Sequence, residues 1–326
     1  MVTVADIEAA AVRLTGLITR TPLLPFAAPD AEADGARVWL KAENLQPIGS
    51  FKLRGAGNRL LALSPAERAR GVVAYSSGNH AQGVAYTARH LGMAATIVVP
   101  TTTPRVKLAA TRALGAEVVL YDPATEQREA VAERVRARLP PDQLPTLVPP
   151  FDDPYIIAGQ GTAGLEIFED LPTADLVLVP VGGGGLLSGI ATALKARNPA
   201  VRIIGVEPVL AADAQASFRA GHRVAWPAAD TQRTLADGVR TLEVGALPFA
   251  LIQRYVDDIV TVTEAEIRTV TRRLALEARL VVEPTGALAL AAWLYHRAEL
   301  PPARQVVALL TGGNIDPELL IELLQG

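Results

Sequence analysis

The chain of 326 residues is half apolar, enough for one large or two ordinary domains with a sizeable core. A net charge of −3 and an isoelectric point near 5.9 argue against nucleic acid or an anionic membrane surface as the main partner. The absence of cysteine excludes thiol catalysis, disulfides and cysteine-ligated zinc, and His80, His90, His222 and His296 show no metal-ligand spacing.

Thr3-Val4-Ala5-Asp6 has the form of a capping box opening an amphipathic helix with Ile7, Ala11 and Leu14 on one face. Acidic residues interrupt any apolar run there, which argues against a signal peptide and for a cytoplasmic setting. The apolar strand Val38-Trp39-Leu40 then closes on Lys41 and leads into Asn44-Leu45-Gln46-Pro47-Ile48-Gly49-Ser50-Phe51-Lys52-Leu53-Arg54-Gly55. Only four of the 31 basic residues are lysines: Lys41, Lys52, Lys107 and Lys195. An arginine cannot form a Schiff base with an aldehyde, whereas a partly desolvated lysine amine can. Lys41, Lys107 and Lys195 read as solvated surface charges. Lys52, at a helix start between Phe51 and Leu53, fits either a snorkelling side chain or an amine with a chemical task.

From residue 72 onward, short apolar runs alternate with helical patterns, and strands are predicted at 72–75, 95–99, 117–121, 175–181, 201–206, 258–262 and 305–310. Helix starts are marked at Thr103-Pro104, at Thr263-Glu264-Ala265-Glu266 and at Asp316-Pro317-Glu318. This alternation predicts an α/β protein with mainly parallel sheets covered on both faces. Proline clusters mark a linker near 140–154, so a small α/β domain at 71–148 is expected as an insertion in a larger one made of 1–70 and 149–326. Residues 176–194 carry no charge and are long enough to span a bilayer, but Pro180 and four glycines cut them into strand, loop and helix.

Within that cut, Gly182-Gly183-Gly184-Gly185 stands between a strand and a helix start, where backbone N–H groups converge on an anion at the positive end of the helix dipole. No Gly-Lys-Ser/Thr follows and the dinucleotide spacing is missing, so a single phosphate suits the loop. Ser76-Ser77-Gly78-Asn79-His80 also joins a strand end to a helix start; it fits simple capping or a cradle for a carboxylate or phosphate. Thr311-Gly312-Gly313-Asn314 offers a hydroxyl and an amide beyond a strand end, where parallel-sheet proteins place ligands. Val282-Glu283-Pro284-Thr285 reads as an ordinary helix start without a catalytic role.

A lysine, a phosphate cradle, a carboxylate cradle and a hydroxyl past a strand end are the parts of a pyridoxal-phosphate site. The chain resembles the fold-type II pyridoxal-phosphate enzymes, and among them the threonine/serine dehydratase and serine racemase family. The resemblance rests on the segments around Lys52, Ser76 to His80, Ile157-Ala158-Gly159-Gln160-Gly161-Thr162, the glycine loop, Val282 to Thr285 and Thr311 to Asn314, in the family's order. It implies the tryptophan synthase β-like fold, two open twisted mostly parallel sheets flanked by helices, with the larger domain binding pyridoxal 5′-phosphate. It further implies that Lys52 holds the cofactor and moves the α-proton, that Phe51 flanks the ring, and that Asn79 bonds the ring oxygen. Gly182, Gly183, Gly184 and Gly185 would bind the phosphate and Thr311, often a serine in relatives, would face the ring nitrogen. Ser76, Ser77, Asn79 and His80 would surround the substrate carboxylate, with Ser77 on the ring face opposite Lys52.

The family also binds a divalent cation near a Glu-Pro segment, here Glu207-Pro208 with the Ala211 carbonyl and Asp213; two carboxylates suit Mg²⁺ or Ca²⁺. The same residues fit a plain strand end and helix cap. The expected activity is dehydration and deamination of L-threonine or L-serine to the 2-oxo acid and ammonia, in a homodimer. The alternatives are a serine or aspartate-type racemase, a 3-hydroxyaspartate dehydratase using Arg128 for a second carboxylate, and a cofactor carrier without turnover. Arg128 otherwise reads as one more arginine on an exposed helix with Arg134, Arg136 and Arg138.

Overall fold

The computed structural model describes residues 1–28, 30–32, 35–76, 78–103 and 105–325, with residues 105–107 described by their backbone. Two open sheets carry the chain. The larger contains β1 (Leu23–Pro25), β2 (Arg37–Ala42), β7 (Leu176–Pro180), β8 (Arg202–Pro208), β9 (Asp258–Val262) and β10 (Gln305–Leu310), in the order β1-β2-β10-β7-β8-β9. Its β1–β2 pair is antiparallel and every other pair is parallel, so the sheet is mixed. The smaller, parallel sheet contains β3 (Val72–Tyr75), β4 (Ala95–Pro100), β5 (Glu117–Tyr121) and β6 (Thr146–Val148), in the order β5-β4-β3-β6.

The helices of the first half are α1 (Val4–Leu14), α2 (Lys52–Leu61), α3 (Pro65–Arg70), α4 (Asn79–His90), α5 (Arg105–Ala113), α6 (Arg128–Arg136) and α7 (Pro154–Asp170). Those of the second half are α8 (Gly185–Arg197), α9 (Asp213–Ala220), α10 (Ala228–Thr231), α11 (Ala246–Tyr255), α12 (Glu264–Arg273), α13 (Pro284–Tyr295) and α14 (Pro317–Gln325). The expected capping boxes form at α1, through Thr3 and Asp6, and at α12, through Thr263 and Glu266. Asp316 accepts the Glu318 N–H at the start of α14. The expected cap before α5 involves Pro104, which lies outside the described residues.

Burial explains the placement of the central elements. Every residue of β7 is buried, as a strand covered on both faces requires. Helix α13, apolar all round, is buried from Pro284 to Trp293 against that sheet. Among the described residues no helix is long and apolar enough to cross a membrane, and residues 176–194 form strand, glycine loop and helix as expected.

The structure corrects two expectations. Strands β1 and β6 are three residues each and flanked by prolines, too short for a periodic signal; β6 falls inside the stretch expected to be a linker. Lys41 is not a surface charge. Wholly buried, it donates to Glu166 at 2.6 Å and to the Thr21 carbonyl at 2.7 Å. Arg54 lies in the same network, donating to both Glu43 oxygens at 2.7 Å and to Glu166 at 2.7 and 2.8 Å. Two cations thus face two carboxylates beneath α2. Lys195 pairs with Asp257 at 2.9 Å, half-buried, and the Lys107 side chain lies outside the described residues.

Candidate active site

The chain reaches Lys52 through a turn that only glycine fits. Gly49 adopts φ +74°, and a side chain there would come within 2.5 Å of the Asn314 amide oxygen. Ser50 then bridges to Gly312, and the Phe51 N–H donates to the Thr311 carbonyl at 3.1 Å. Lys52, the first residue of α2, is thereby fixed beside the carboxyl end of β10. Its amine donates to the Pro150 carbonyl at 2.9 Å and lies 5.2 Å from the centre of the Phe51 ring. Burial pushes its pKa down to about 8, helped by the charge of Arg128 and opposed by Glu283.

Lys52 and Phe51 line one cavity with Phe151, the four-glycine loop and Thr311. The loop has no room for side chains: a Cβ on Gly183 would lie 2.2 Å from the Phe151 ring, and Gly184 has φ +86°. It opens α8, whose first amides have no intrahelical partners. On the same cavity wall Thr311 keeps a buried hydroxyl without a partner. The sequence therefore brings together Lys52, Phe51, Gly182, Gly183, Gly184, Gly185 and Thr311.

Asn79 begins α4, donating from Nδ2 to Glu283 at 2.7 Å and accepting from Asn314 at 2.8 Å. His80 is wholly buried, its pKa pushed down to about 3 by burial first and by Lys52 next. A carbonyl only accepts, so the contact of Nε2 with the Val148 oxygen at 3.1 Å puts the proton on Nε2, and Nδ1 has no partner. Ser76 directly follows β3 and accepts from the Gly78 N–H at 3.3 Å. Ser77 lies outside the described residues.

Ser76 also lines a cleft of about 550 Å³ with Arg128, Arg240, Glu283 and Asn314. Arg128 is thus not simply one of the exposed-helix arginines: it stacks 5.4 Å from the Tyr75 ring centre, donates to Glu129 and faces this cleft. Glu283 is more than a helix start as well. It makes no side-chain cap, and its buried carboxylate reaches Asn79. The proline-rich stretch 149–154, expected as a linker, builds the site: Pro150 holds Lys52, Phe151 packs on the glycine loop, Asp152 accepts the first amides of α11 and Asp153 those of α7. Consecutive aspartates before helix starts were the available signal.

Comparison with known proteins decides what kind of site this is. Residues 14–312 match the family model described as "Pyridoxal-phosphate dependent enzyme". This chain belongs to that family. Among its relatives, a Pseudomonas protein named L-threo-3-hydroxyaspartate ammonia-lyase is 46% identical over 321 residues, 98% of each chain. A threonine deaminase from T.th. superposes with a TM-score of 0.88 at 46% identity, covering 96% of this chain and 99% of its own. Maize serine racemase superposes with a TM-score of 0.92 at 34% identity, covering 98% and 96%. The fold is that of fold-type II pyridoxal-phosphate enzymes, α/β with one mixed and one parallel sheet flanked by helices.

The residues present fit this family's cofactor. The side-chain-free loop at the start of α8 suits a phosphate, the partnerless Thr311 hydroxyl suits a ring nitrogen, and the depressed Lys52 amine suits an aldehyde. The residues expected to ligate a cation are Glu207, Ala211 and Asp213, and all three are buried. Glu207, one residue before the end of β8, accepts the amides of Ala214 and Gln215 at 3.0 and 2.7 Å, whereas both Asp213 oxygens are buried without partners. Burial pushes both carboxyl pKa values up, and for Glu207 the neighbouring Asp213 adds to it.

Proposed function

We propose that this pyridoxal-phosphate dependent enzyme is an ammonia-lyase that converts a β-hydroxy amino acid, L-threonine or L-serine, to the 2-oxo acid and ammonia. The observation that carries this reading is the meeting of Lys52, the glycine loop and Thr311 around one cavity. The cofactor supplies an electron sink conjugated to the α-carbon of the bound amino acid. Lys52 binds it through the ε-amine and then takes the α-proton; a pKa near 8 leaves part of that amine neutral around neutral pH. Gly182, Gly183, Gly184 and Gly185 hold the phosphate, Phe51 flanks the ring and Asn79 donates to the ring oxygen. Ser76, Ser77, Asn79 and His80 bind the substrate carboxylate, His80 as a neutral hydrogen-bonding group. Thr311 offers the ring nitrogen a hydroxyl and no negative charge, leaving it less protonated. That weakens the sink and favours loss of the β-hydroxyl over transamination.

In this reading Glu207, Asp213 and the Ala211 carbonyl hold Mg²⁺ or Ca²⁺ in a structural role, and the enzyme is a cytoplasmic homodimer. A panel of β-hydroxy amino acids, followed by 2-oxo acid release, tests the activity. L-Threonine or L-serine should yield 2-oxo acid, and Lys52→Ala none; reduction with borohydride should leave the cofactor label on Lys52. A yield of D-serine above pyruvate from L-serine would replace the lyase by a racemase, with Ser77 acting opposite Lys52.

One observation favours a second substrate, 3-hydroxyaspartate: Arg128 faces the cleft that Ser76 lines. There its guanidinium is available to a second carboxylate. Arg128→Met should then lower kcat/KM for 3-hydroxyaspartate by about 10- to 100-fold, the worth of one charge-assisted hydrogen bond, and far more than for threonine. Equal losses on both substrates would remove this reading.

A further inference from the structure

Glu283 and Asn314 have no part in the reading above, yet both grip Asn79. Asn314 Nδ2 donates to the Ile48 carbonyl at 2.9 Å and to Asn79 Oδ1 at 2.8 Å. A carbonyl only accepts, so Ile48 fixes which end of the Asn314 amide is nitrogen. On its other side Asn79 Nδ2 donates to Glu283 at 2.7 Å, and a carboxylate also only accepts. Turning the Asn79 amide over would set oxygen against oxygen at Glu283 and nitrogen against nitrogen at Asn314. Two wrong contacts would replace two good ones.

Glycines keep this clamp in place. A side chain on Gly312 would come within 2.4 Å of the Glu283 carboxylate and 3.2 Å of Asn79 Nδ2, and one on Gly49 within 2.5 Å of Asn314. Gly312 follows Thr311 and Gly49 precedes Lys52 by three residues, so the clamp is built against the two segments that border the lysine cavity. An amide nitrogen carries two protons. Glu283 takes one, and the other remains to donate.

We infer that Glu283 and Asn314 are positioning residues that lock the Asn79 amide in one orientation, so that its second N–H, and not its oxygen, is presented to the ring oxygen of the bound cofactor. The inference rests on the reading of Asn79 as the group that contacts that oxygen. With the amide free to turn, a lone pair would meet the ring oxygen in part of the population.

The experiment measures two quantities on folded protein at one fixed pH of about 9.5, above the Lys52 pKa, so that the amine is neutral with or without the Glu283 charge: the cofactor Kd, by titrating cofactor-depleted enzyme, and the ratio of the bound cofactor's visible absorbance bands. Asn79→Ala, the reference, should weaken binding by about 10- to 100-fold and change the band ratio. Asn314→Asp, which presents an acceptor where a donor stood, should cost about 10-fold and move the ratio the same way. Glu283→Gln keeps the shape but admits either amide end, and should cost about 3-fold. Placed in the Asn79→Ala background, each substitution should add less than about twofold, as residues acting through a shared partner are non-additive.

Full, additive effects in that background would overturn the inference. So would unchanged Kd and bands in both single variants while Asn79→Ala alters both. If Asn79→Ala alters neither, its own contact with the cofactor falls, and the inference with it. Should Asn314→Asp not fold, the isosteric Glu283→Gln cycle decides alone.

Discussion

Burial, and after it the guanidinium of Arg128, hold the Lys52 pKa down to about 8, while Glu283 pulls the other way. Only the neutral amine attacks an aldehyde. The rate of covalent cofactor uptake should therefore rise with pH through about 8, instead of through the 10.5 of a free lysine. Arg128→Met removes a repelling charge, favours the ammonium and should move that midpoint upward. Stopped-flow mixing of cofactor-depleted protein with cofactor, across a pH series, reads both, and a wild-type midpoint near 10.5 would discard the desolvation account. The buried network makes a second residue-scale prediction. Arg54→Met leaves Glu43 and Glu166 without their bidentate partner, which should cost about 3–5 kcal/mol in urea unfolding. Sequence and structure part company at these residues for one physical reason. Lys52 was legible because lysine is rare here and it stands in a recognisable turn and helix start beside Phe51, which is also its neighbour in space. Lys41 and Glu283 were not, because their partners lie 125 and 204 residues away and burial is set by those partners.

At the scale of elements, the glycine loop separates backbone strain from charge. Gly184 has φ +86° and a Cβ there would lie 2.9 Å from Ile252, Pro248 and Val244, so Gly184→Ala carries the left-handed penalty of about 1–2 kcal/mol plus that crowding. Gly184→Asp adds a negative charge where a phosphate is proposed to bind, and should raise the loss of cofactor affinity to roughly 3–5 kcal/mol, as an unpaired buried charge does. Equal losses for the two variants in a cofactor titration would mean that the loop shapes the cavity without cradling an anion. Helices α12 and α13 are joined differently. His296, just past α13, contacts Glu299 at 2.7 Å and Glu266, in the first turn of α12, at 3.1 Å. Burial works against the imidazolium, but hydrogen bonds to Glu299 and Glu266 outweigh it and hold the pKa above 6.5. A raised folded pKa means that this stabilisation is complete below pH 6.5 and is lost as pH rises through the folded value. His296→Gln should flatten that part of the Tm–pH profile; an unaltered profile would show that the contact contributes nothing. Periodicity found the long elements, since a covered strand such as β7 is apolar throughout, but three-residue β1 and β6 are defined by pairing alone.

Across the whole molecule, the carboxyl ends of two sheets converge on one lysine. The larger brings the ends of β2, β7 and β10, and the smaller brings β3 with the start of α4. The order of the motifs was readable because each is a strand end, a few small residues and a helix start. The crossing at 149–154 was not, since prolines and aspartates serve a linker and a cavity wall equally well. Strand β8 lies beside β7 and carries Glu207 as its penultimate residue, so a cation there would brace the sheet next to the strand that leads into the glycine loop. Asp213 raises the pKa of the buried Glu207 through its neighbouring charge, and both of its own buried oxygens lack a hydrogen-bond partner. A hard divalent cation answers both defects, because it needs oxygen ligands and cancels the repulsion. Binding to the folded chain alone stabilises it by mass action, by about 2.7 kcal/mol at a hundred times the Kd. Millimolar Mg²⁺ or Ca²⁺ should accordingly raise the Tm of chelator-treated enzyme, and Asp213→Asn should abolish that rise while the folded state and cofactor binding persist. A Tm that ignores both cations, or a variant that responds as fully as the parent, would leave Glu207 as a buried acceptor for the first amides of α9, joining β8 to that helix.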